Sequence, residues 1–191
     1  MKISTKCVKL EMNTSTISLA QKILENRFSC QCCGACCTEY EPGSNRVMVS
    51  PEEIHRIMEG SGLSFEEIAE PYPERIQESG RDYTFGWVIR QKGNHCMFLS
   101  ESRCTIYQNR PWICRTYPFM LDNDDLIVHP CSGLNRADSI EDPKDIALNL
   151  LKRQEFEHAD EDRIRNIFAT KTIPAGKPVV IDGEGIKEYH G

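Results

Sequence analysis

Half of the chain's ten cysteines are concentrated in one short stretch, FSCQCCGACC, which runs from residue 28 to residue 37. Its spacing is C-x-x-C-x-x-C-C, formed by Cys30, Cys33, Cys36 and Cys37. Two-residue gaps are what a tight loop needs to bring thiolates together on one metal ion or cluster. At Gly34 the backbone can adopt a positive φ and bring amide N–H groups to the sulfurs, which stabilises thiolate charge. The pattern predicts binding of a soft metal.

The adjacent pair Cys36 and Cys37 indicates that this first block, residues 28–37, is not a complete site. Neighbouring side chains diverge in most backbone conformations. Both thiolates reach one centre only with unusual local geometry, or by binding different irons of one cluster. A second block supplies four further candidate ligands, Cys96, Cys104, Cys114 and Cys131. Eight cysteines in two groups of four fit either two tetrahedral sites or one iron–sulfur cluster with spare thiols.

Two cysteines stand apart from this arrangement. Cys32 interrupts the regular spacing of the first block, and we predict that it is not a ligand. Cys7 lies outside both blocks and is predicted to be a free thiol. The ferredoxin run C-x₂-C-x₂-C-x₃-C-P is not met, because Tyr40 stands where the fourth cysteine would be. The sequence therefore disfavours a simple ferredoxin.

Two arginines, Arg110 and Arg115, flank Cys114. A metal centre bound by four thiolates carries negative charge, which nearby guanidinium groups offset while raising a reduction potential. We predict that both arginines contact the cofactor; the alternative is that they pair with surface carboxylates. His95 and His129 stand next to cysteines of the second block, and we expect both imidazoles to lie outside the coordination sphere.

Three motifs taken together resemble a known family. They are C-x-x-C-G-x-C-C, VMVSPEEI, and CMFL followed by RCTIYQNRPWICRTYPF, in that order over about residues 28–133. This combination resembles the CxxCxxCC cysteine-cluster family, the YkgJ-like group of zinc- or iron-chelating domains in bacteria and archaea. CMFL departs mildly from the family's usual CPFL. The resemblance implies that the eight cysteines of the two blocks are ligands or lie close to them.

The donor set leaves the metal open between iron–sulfur and zinc, since soft thiolates suit both. An all-cysteine set with an adjacent pair and arginine neighbours favours a 4Fe–4S cluster with a redox or assembly-linked role. Zinc more often uses cleanly separated C-x-x-C pairs, so a zinc-stabilised binding module or a metal chaperone without catalysis is the alternative. Members of the CxxCxxCC family, which this sequence resembles, are often labelled iron–sulfur proteins or oxidoreductases. An oxidoreductase activity would rest on that resemblance alone. We also expect a protein partner, which could be an electron-transfer partner.

Composition narrows the class of protein. The 191-residue chain has a net charge of −6 and no basic stripe, which argues against nucleic-acid binding. Its first residues lack the apolar core of a signal peptide, and no apolar run approaches ~18 residues, so we expect a cytoplasmic protein without a membrane span. In a reducing cytosol clustered cysteines are metal or redox groups rather than structural disulfides.

The elements around the cysteines predict a small single-domain α+β fold of short strands and helices organised around a cysteine-ligated metal centre. We divide the chain into an N-terminal helix leading into the cluster (1–27), a cysteine-cluster domain (28–134), and a helical extension with a C-terminal tail (135–191). The C-terminal tail is predicted to contain a strand with loosely held ends, and we expect it to be an accessory element of the fold. The first helix is predicted over 14–27, with an apolar face of Ile17, Ala20, Ile23 and Leu24.

The strongest helix signal is VSPEEIHRIMEGSG. Ser50 is the predicted N-cap with Glu53 as its capping-box partner, and Gly60 the predicted end. A short helix should follow Ser64. Strands are predicted at 83–90, 96–99 and 125–129, a helical turn at Pro111, and a long charged helix from 142 to about 168.

Overall fold

The computed structural model describes residues 14–136 and 140–189, and Cys7 lies outside these ranges. The fold is α+β, as predicted. The helices are α1 Thr14–Glu25, α2 Pro51–Ser61, α3 Phe65–Ile68, α4 Trp112–Thr116 and α5 Pro143–Thr170. Within these ranges no helix is both long and apolar enough to cross a membrane.

The strands are short. They are β1 Met48–Val49, β2 Ala69–Pro71, β3 Ile76–Glu78, β4 Arg81–Phe85, β5 Trp87–Ile89, β6 Gln91–Lys92, β7 His95–Cys96, β8 Leu99–Ser100, β9 Arg103–Cys104, β10 Phe119–Asp122, β11 Asp125–Val128, β12 Pro178–Asp182 and β13 Gly185–Glu188. They form a three-stranded sheet β1-β5-β2, a four-stranded sheet β13-β12-β4-β3, and the hairpins β6-β7, β8-β9 and β10-β11. All pairs are antiparallel except β12 with β4.

Helix α2 begins as predicted and ends later. Ser50 and Glu53 form the capping box, with the Ser50 hydroxyl accepting the Glu53 N–H. The left-handed C-cap is Gly62, with φ of 74°, rather than Gly60. Gly60 lies inside the helix, where a Cβ would overlap the side chain of Asn109. A close approach, rather than a helix end, explains this glycine.

The predicted strand over 83–90 is two strands belonging to different sheets. Gly86, with φ of 72°, separates β4 from β5. Its N–H donates to the Ile181 carbonyl and its carbonyl accepts the Tyr72 N–H, so the chain bends there while both backbone groups stay paired. The predicted strand over 96–99 is likewise divided between β7 and β8.

The face of α1 differs from the predicted one. Leu19, Ala20 and Ile23 are buried, whereas Ile17 is 56% and Leu24 39% exposed. These buried positions follow the i, i+1, i+4 spacing of one helix face, and α1 packs them against α5. The apolar residue pattern alone could not distinguish the two overlapping faces.

The C-terminal segment is an interior part of the sheet rather than an accessory tail. Strand β12 lies between β4 and β13, and its residues Val179, Val180 and Ile181 are fully buried. Because side chains alternate along a strand, Val180 packs with the apolar cluster of α2 and the three-stranded sheet. Val179 and Ile181 pack with Tyr83 and Ile173 on the other side.

Candidate metal centre

The first block folds into a tight turn that brings its adjacent thiols together. Gly34 has φ of 71°, and a 3-10 turn over Ala35–Cys37 follows it, with the Cys37 N–H donating to the Gly34 carbonyl. This turn places the Cys36 and Cys37 sulfurs 3.9 Å apart. Two sulfurs on one tetrahedral zinc, each at ~2.3 Å from it, are about 3.8 Å apart. The local geometry thus removes the divergence expected of neighbouring side chains.

Backbone pairing joins the second block to this turn. Thr38 forms an antiparallel bridge with His95, and the Glu39 N–H donates to the Asn94 carbonyl. Three further cysteines reach the same region from separate elements, Cys96 on β7, Cys104 on β9 and Cys114 on α4. None of these thiols is in a disulfide.

Cys36 is the electrostatic centre of the group. Burial raises the pKa of each of four thiols, and repulsion from the Cys36 thiolate raises it further; these are Cys96, Cys104, Cys114 and Cys131. The same repulsion acts on Cys37. Thiols from both blocks therefore lie within electrostatic range of one sulfur. We call Cys36, Cys37, Cys96, Cys104 and Cys114 the inner group.

The pair Cys36 and Cys37 differs strongly in acidity. A hydrogen bond from the Cys37 thiol lowers the pKa of Cys36 to about 7, and the positive charge of Arg110 acts in the same direction. Donating that hydrogen bond, together with burial, raises the pKa of Cys37. Cys36 is exposed and Cys37 half-buried, so the pair lies where the group opens to solvent.

Backbone N–H groups point at several sulfurs. At Cys96, Cys104 and Cys131 burial raises the pKa of the thiol, and the N–H two residues further on opposes that effect. At Cys131 the donor is the Gly133 N–H, 3.4 Å from the sulfur. At Cys33 the Ser132 hydroxyl is the main cause of a lowered pKa, and the Ala35 N–H adds to it. Hydrogen bonds of this kind favour the thiolate that a metal requires.

Cys33 and Cys131 form an outer pair. The Cys33 sulfur lies 3.5 Å from the Ser132 hydroxyl, next in sequence to Cys131, and repulsion from the Cys33 thiolate raises the pKa of Cys131 beyond the effect of burial. Cys30 lies further along, where its N–H donates to Glu141 and its thiol interacts with that of Cys32. Cys30, Cys32 and Cys33 are all exposed.

The two arginines are placed differently. Arg110 stacks its guanidinium 3.7 Å from the Tyr107 ring centre and donates to the carbonyls of Tyr107 and Cys114. Its charge lowers the proton affinity of Cys36 and of Cys104. Arg115 instead donates to the carbonyls of Gln108 and Arg110 and lies 5.4 Å from the Trp112 ring centre. The hydrogen bonds of Arg115 therefore hold in place the loop that carries Arg110.

The two histidines lie at the edges of the site. The His95 ring pairs through Nδ1 with the Asn94 side chain at 3.2 Å. His129 is exposed and stacks on Tyr117 with ring centres 6.4 Å apart.

Two supporting residues went unrecognised in the sequence. Asn45, 6% exposed, donates to the Cys37 and Asn94 carbonyls and accepts from Gln91, so it ties the first block to the second. Nothing in the sequence marks it. The sequence predicted Glu53 only as the capping-box residue of α2. Its second carboxylate oxygen also accepts the Trp112 N–H at 2.8 Å, and this hydrogen bond fixes the start of α4.

The thiols converge without being closed around a single ion. Within residues 14–136 and 140–189, no three Cys, His, Asp or Glu side chains stand close enough to hold one metal ion as placed. The donor chemistry nevertheless fits a thiophilic metal: four further thiols lie within electrostatic range of Cys36, backbone N–H groups favour thiolates, and Arg110 offsets their charge.

Comparison with known proteins agrees with this chemistry. A family model, CxxCxxCC, described as "Putative zinc- or iron-chelating domain", matches residues 29–158. The match covers both cysteine blocks and the first half of α5. No solved structure matches the chain.

Proposed function

Since the chain belongs to the CxxCxxCC family of zinc- or iron-chelating domains, we propose that the metal it binds is a 4Fe–4S cluster with a redox or assembly-linked role. Four of the five thiols of the inner group supply the cluster ligands, and Cys30, Cys33 and Cys131 flank them. One observation carries the proposal: five reduced thiols from four separate segments lie within electrostatic range of one another.

The spread of the sulfurs favours a cluster over a single ion. A cluster offers a separate iron to each thiolate, so its ligand sulfurs lie further apart than those bound to one ion. No three described thiols are at single-ion spacing, although both blocks surround Cys36. Arg110 supplies the positive charge that such a centre needs.

Exposure of Cys36 supports a role in electron transfer to a protein partner. When bound, an iron–sulfur cluster supplies one-electron transfer. The chain contributes a rim that a partner can approach, because Cys36 is exposed and Tyr40, four residues on, is 81% exposed. Arg110 and the N–H groups aimed at the sulfurs set the charge around the centre.

A zinc-stabilised binding module or metal chaperone is the second candidate, and one distance favours it. The 3.9 Å between the Cys36 and Cys37 sulfurs is the spacing of two ligands on one tetrahedral zinc. In that case rotation of the Cys96, Cys104 or Cys114 side chains completes the four-thiolate set, and the protein has no redox chemistry.

Purification without oxygen separates the two candidates. We expect a brown protein with broad visible absorbance and about four irons with matching acid-labile sulfide per chain. A colourless protein with stoichiometric zinc contradicts the cluster and supports the zinc module. A protein that binds neither metal contradicts both.

A pair of variants tests the ligand assignment. Cys114→Ser removes an inner thiol and should abolish stoichiometric metal binding, whereas Cys32→Ser, which changes an exposed thiol beside the site, should keep the metal content of the unchanged protein. Metal content is measured on folded protein, verified by circular dichroism. Full metal retention by Cys114→Ser would show that Cys114 is not a ligand.

A further inference from the structure

The structure contains a cavity of about 340 Å³ against the start of α4. It lies between the loop after the first cysteine block, the start of α2, α4 and α5, and its lining includes no cysteine. We propose that this cavity binds a small organic anion, a carboxylate or phosphate monoester with an apolar body, between Arg46 and Arg153. Its volume is at the lower end of the ~300–1,000 Å³ that small-molecule sites occupy.

Arg153 is a buried cation that reaches the cavity from α5. Its side chain is 8% exposed, its Nε donates to Glu157 at 2.7 Å, and its Nη1 donates to the Thr116 hydroxyl at 3.0 Å. Nη2 has no hydrogen-bond partner among the residues that the structure describes. Nη2 is accessible to solvent, so its N–H groups are available to donate to an acceptor in the cavity.

Arg46 faces the same cavity without any counter-charge. The described part of the chain gives its guanidinium no hydrogen bond, ion pair or aromatic ring. Arg46 is exposed, and its guanidinium carbon would be 3.2 Å from a Cβ at Gly43, where φ is 80°. A free guanidinium opposite a buried one suits a carboxylate or phosphate, which accepts several N–H donors at once.

The two carboxylates that line the cavity are already engaged. Glu157 accepts from Arg153. Glu53 accepts from the Ser50 N–H and hydroxyl and from the Trp112 N–H, and Arg56 lies 3.8 Å from it. The guanidinium groups of Arg56 and Arg153 pair with these two carboxylates, and the positive charge of Arg46 is left unpaired.

The remaining walls are apolar and aromatic. Trp112, Phe156, Tyr72 and Met48 line the space between the two arginines. Such walls favour an anion that carries a hydrocarbon or aromatic body over inorganic phosphate alone. Trp112 begins α4, the helix that also carries Cys114.

Isothermal titration calorimetry of the full chain, purified with its metal, tests this proposal. The probes are phenyl phosphate and benzoate, with benzyl alcohol as the neutral analogue. We expect at least one anionic probe to bind saturably at one site per chain and benzyl alcohol to bind at least tenfold more weakly. Equal binding of the neutral analogue, or saturable binding of neither anion, overturns the proposal.

Two variants locate the binding. Arg46→Gln removes the unpaired guanidinium without touching a buried contact and should weaken the anion's affinity about tenfold or more. Arg165→Gln is the matched control, because Arg165 is an arginine on the exposed part of α5, paired with Asp162. Metal content is measured for both. Unchanged affinity in Arg46→Gln, or an equal loss in Arg165→Gln, overturns the assignment to this cavity.

Discussion

Arg110 is placed to act on the thiols through its charge. Its hydrogen bonds go to the carbonyls of Tyr107 and Cys114, so no carboxylate neutralises it in these contacts. Its charge lowers the proton affinity of Cys36 and Cys104, which sit in different blocks. In a chain with a net charge of −6, this guanidinium provides local compensation for a thiolate-bound metal.

Replacing Arg110 should therefore weaken metal binding. We expect Arg110→Gln to lower metal affinity about tenfold, since an opposite charge near a thiolate shifts its pKa by ~1–3 units, while Arg110→Lys keeps most of the affinity. Arg103→Gln, an exposed arginine next to Cys104, is the control and should bind metal normally. The metal affinities of the unchanged protein and of the three variants are measured by competition with a chromogenic chelator. Equal losses in the Gln and Lys variants would show that hydrogen-bond geometry, and not charge, is what Arg110 contributes.

Among the elements, the turn at Gly34 has the closest link to function. Its positive φ starts the 3-10 turn that brings the Cys36 and Cys37 sulfurs together. A Cβ at this position would lie 3.0 Å from the Leu99 side chain and 3.3 Å from the Ser102 backbone. The glycine thus serves the turn and its contact with the β8–β9 hairpin.

Gly34→Ala is expected to reduce both stability and metal content. The left-handed conformation costs an alanine about 1–2 kcal/mol, and the contact with Leu99 shifts the turn. Gly62→Ala is a matched control, because Gly62 has nearly the same φ, 74°, with no atom within 4 Å of the added Cβ. Denaturant unfolding should show a lower free energy of unfolding in both variants. Metal analysis should show a lower metal content only in Gly34→Ala. Equal metal content in the two variants would contradict a role for this turn in the site.

Across the whole molecule, the thiols adjoin two of three apolar clusters. Cys96 and Cys104 pack against the cluster of α2 and the three-stranded sheet, and Cys131 against that of α1 and α5. The third cluster, built on Tyr83, Ile173, Val179 and Ile181, has no described cysteine beside it. Metal binding is therefore expected to stabilise the molecule unevenly.

Metal removal should loosen the cysteine loops before the four-stranded sheet. We expect amide hydrogen exchange, followed by mass spectrometry, to accelerate over 28–45 and 94–116 when a chelator strips the metal, because their thiols lose a shared ligand. Peptides from β4 and β12 should stay protected. The Cys114→Ser variant should reproduce the pattern without chelator. Uniform loss of protection would instead show that the metal supports the entire fold.

Much of the local structure follows directly from sequence. The Ser50 and Glu53 capping box, the helical turn after Pro111 and the long helix α5 were all predicted, because each depends on residues a few positions apart. The α+β class and the metal-chelating family were also readable, since the cysteine spacing is itself the signal. The predicted face of α1 was wrong at Ile17 and Leu24, which are exposed, because two apolar faces of that helix overlap.

The sequence alone was enough to predict most of the helices and the metal-chelating family, since propensity, capping and cysteine spacing act locally. Only the tertiary structure decided which distant segments meet. The parallel pairing of β12 with β4 joins residues nearly a hundred positions apart, and the buried amide of Asn45 joins the two cysteine blocks. Both contacts depend on the packing of the whole chain, and those of Asn45 hold the two cysteine blocks together.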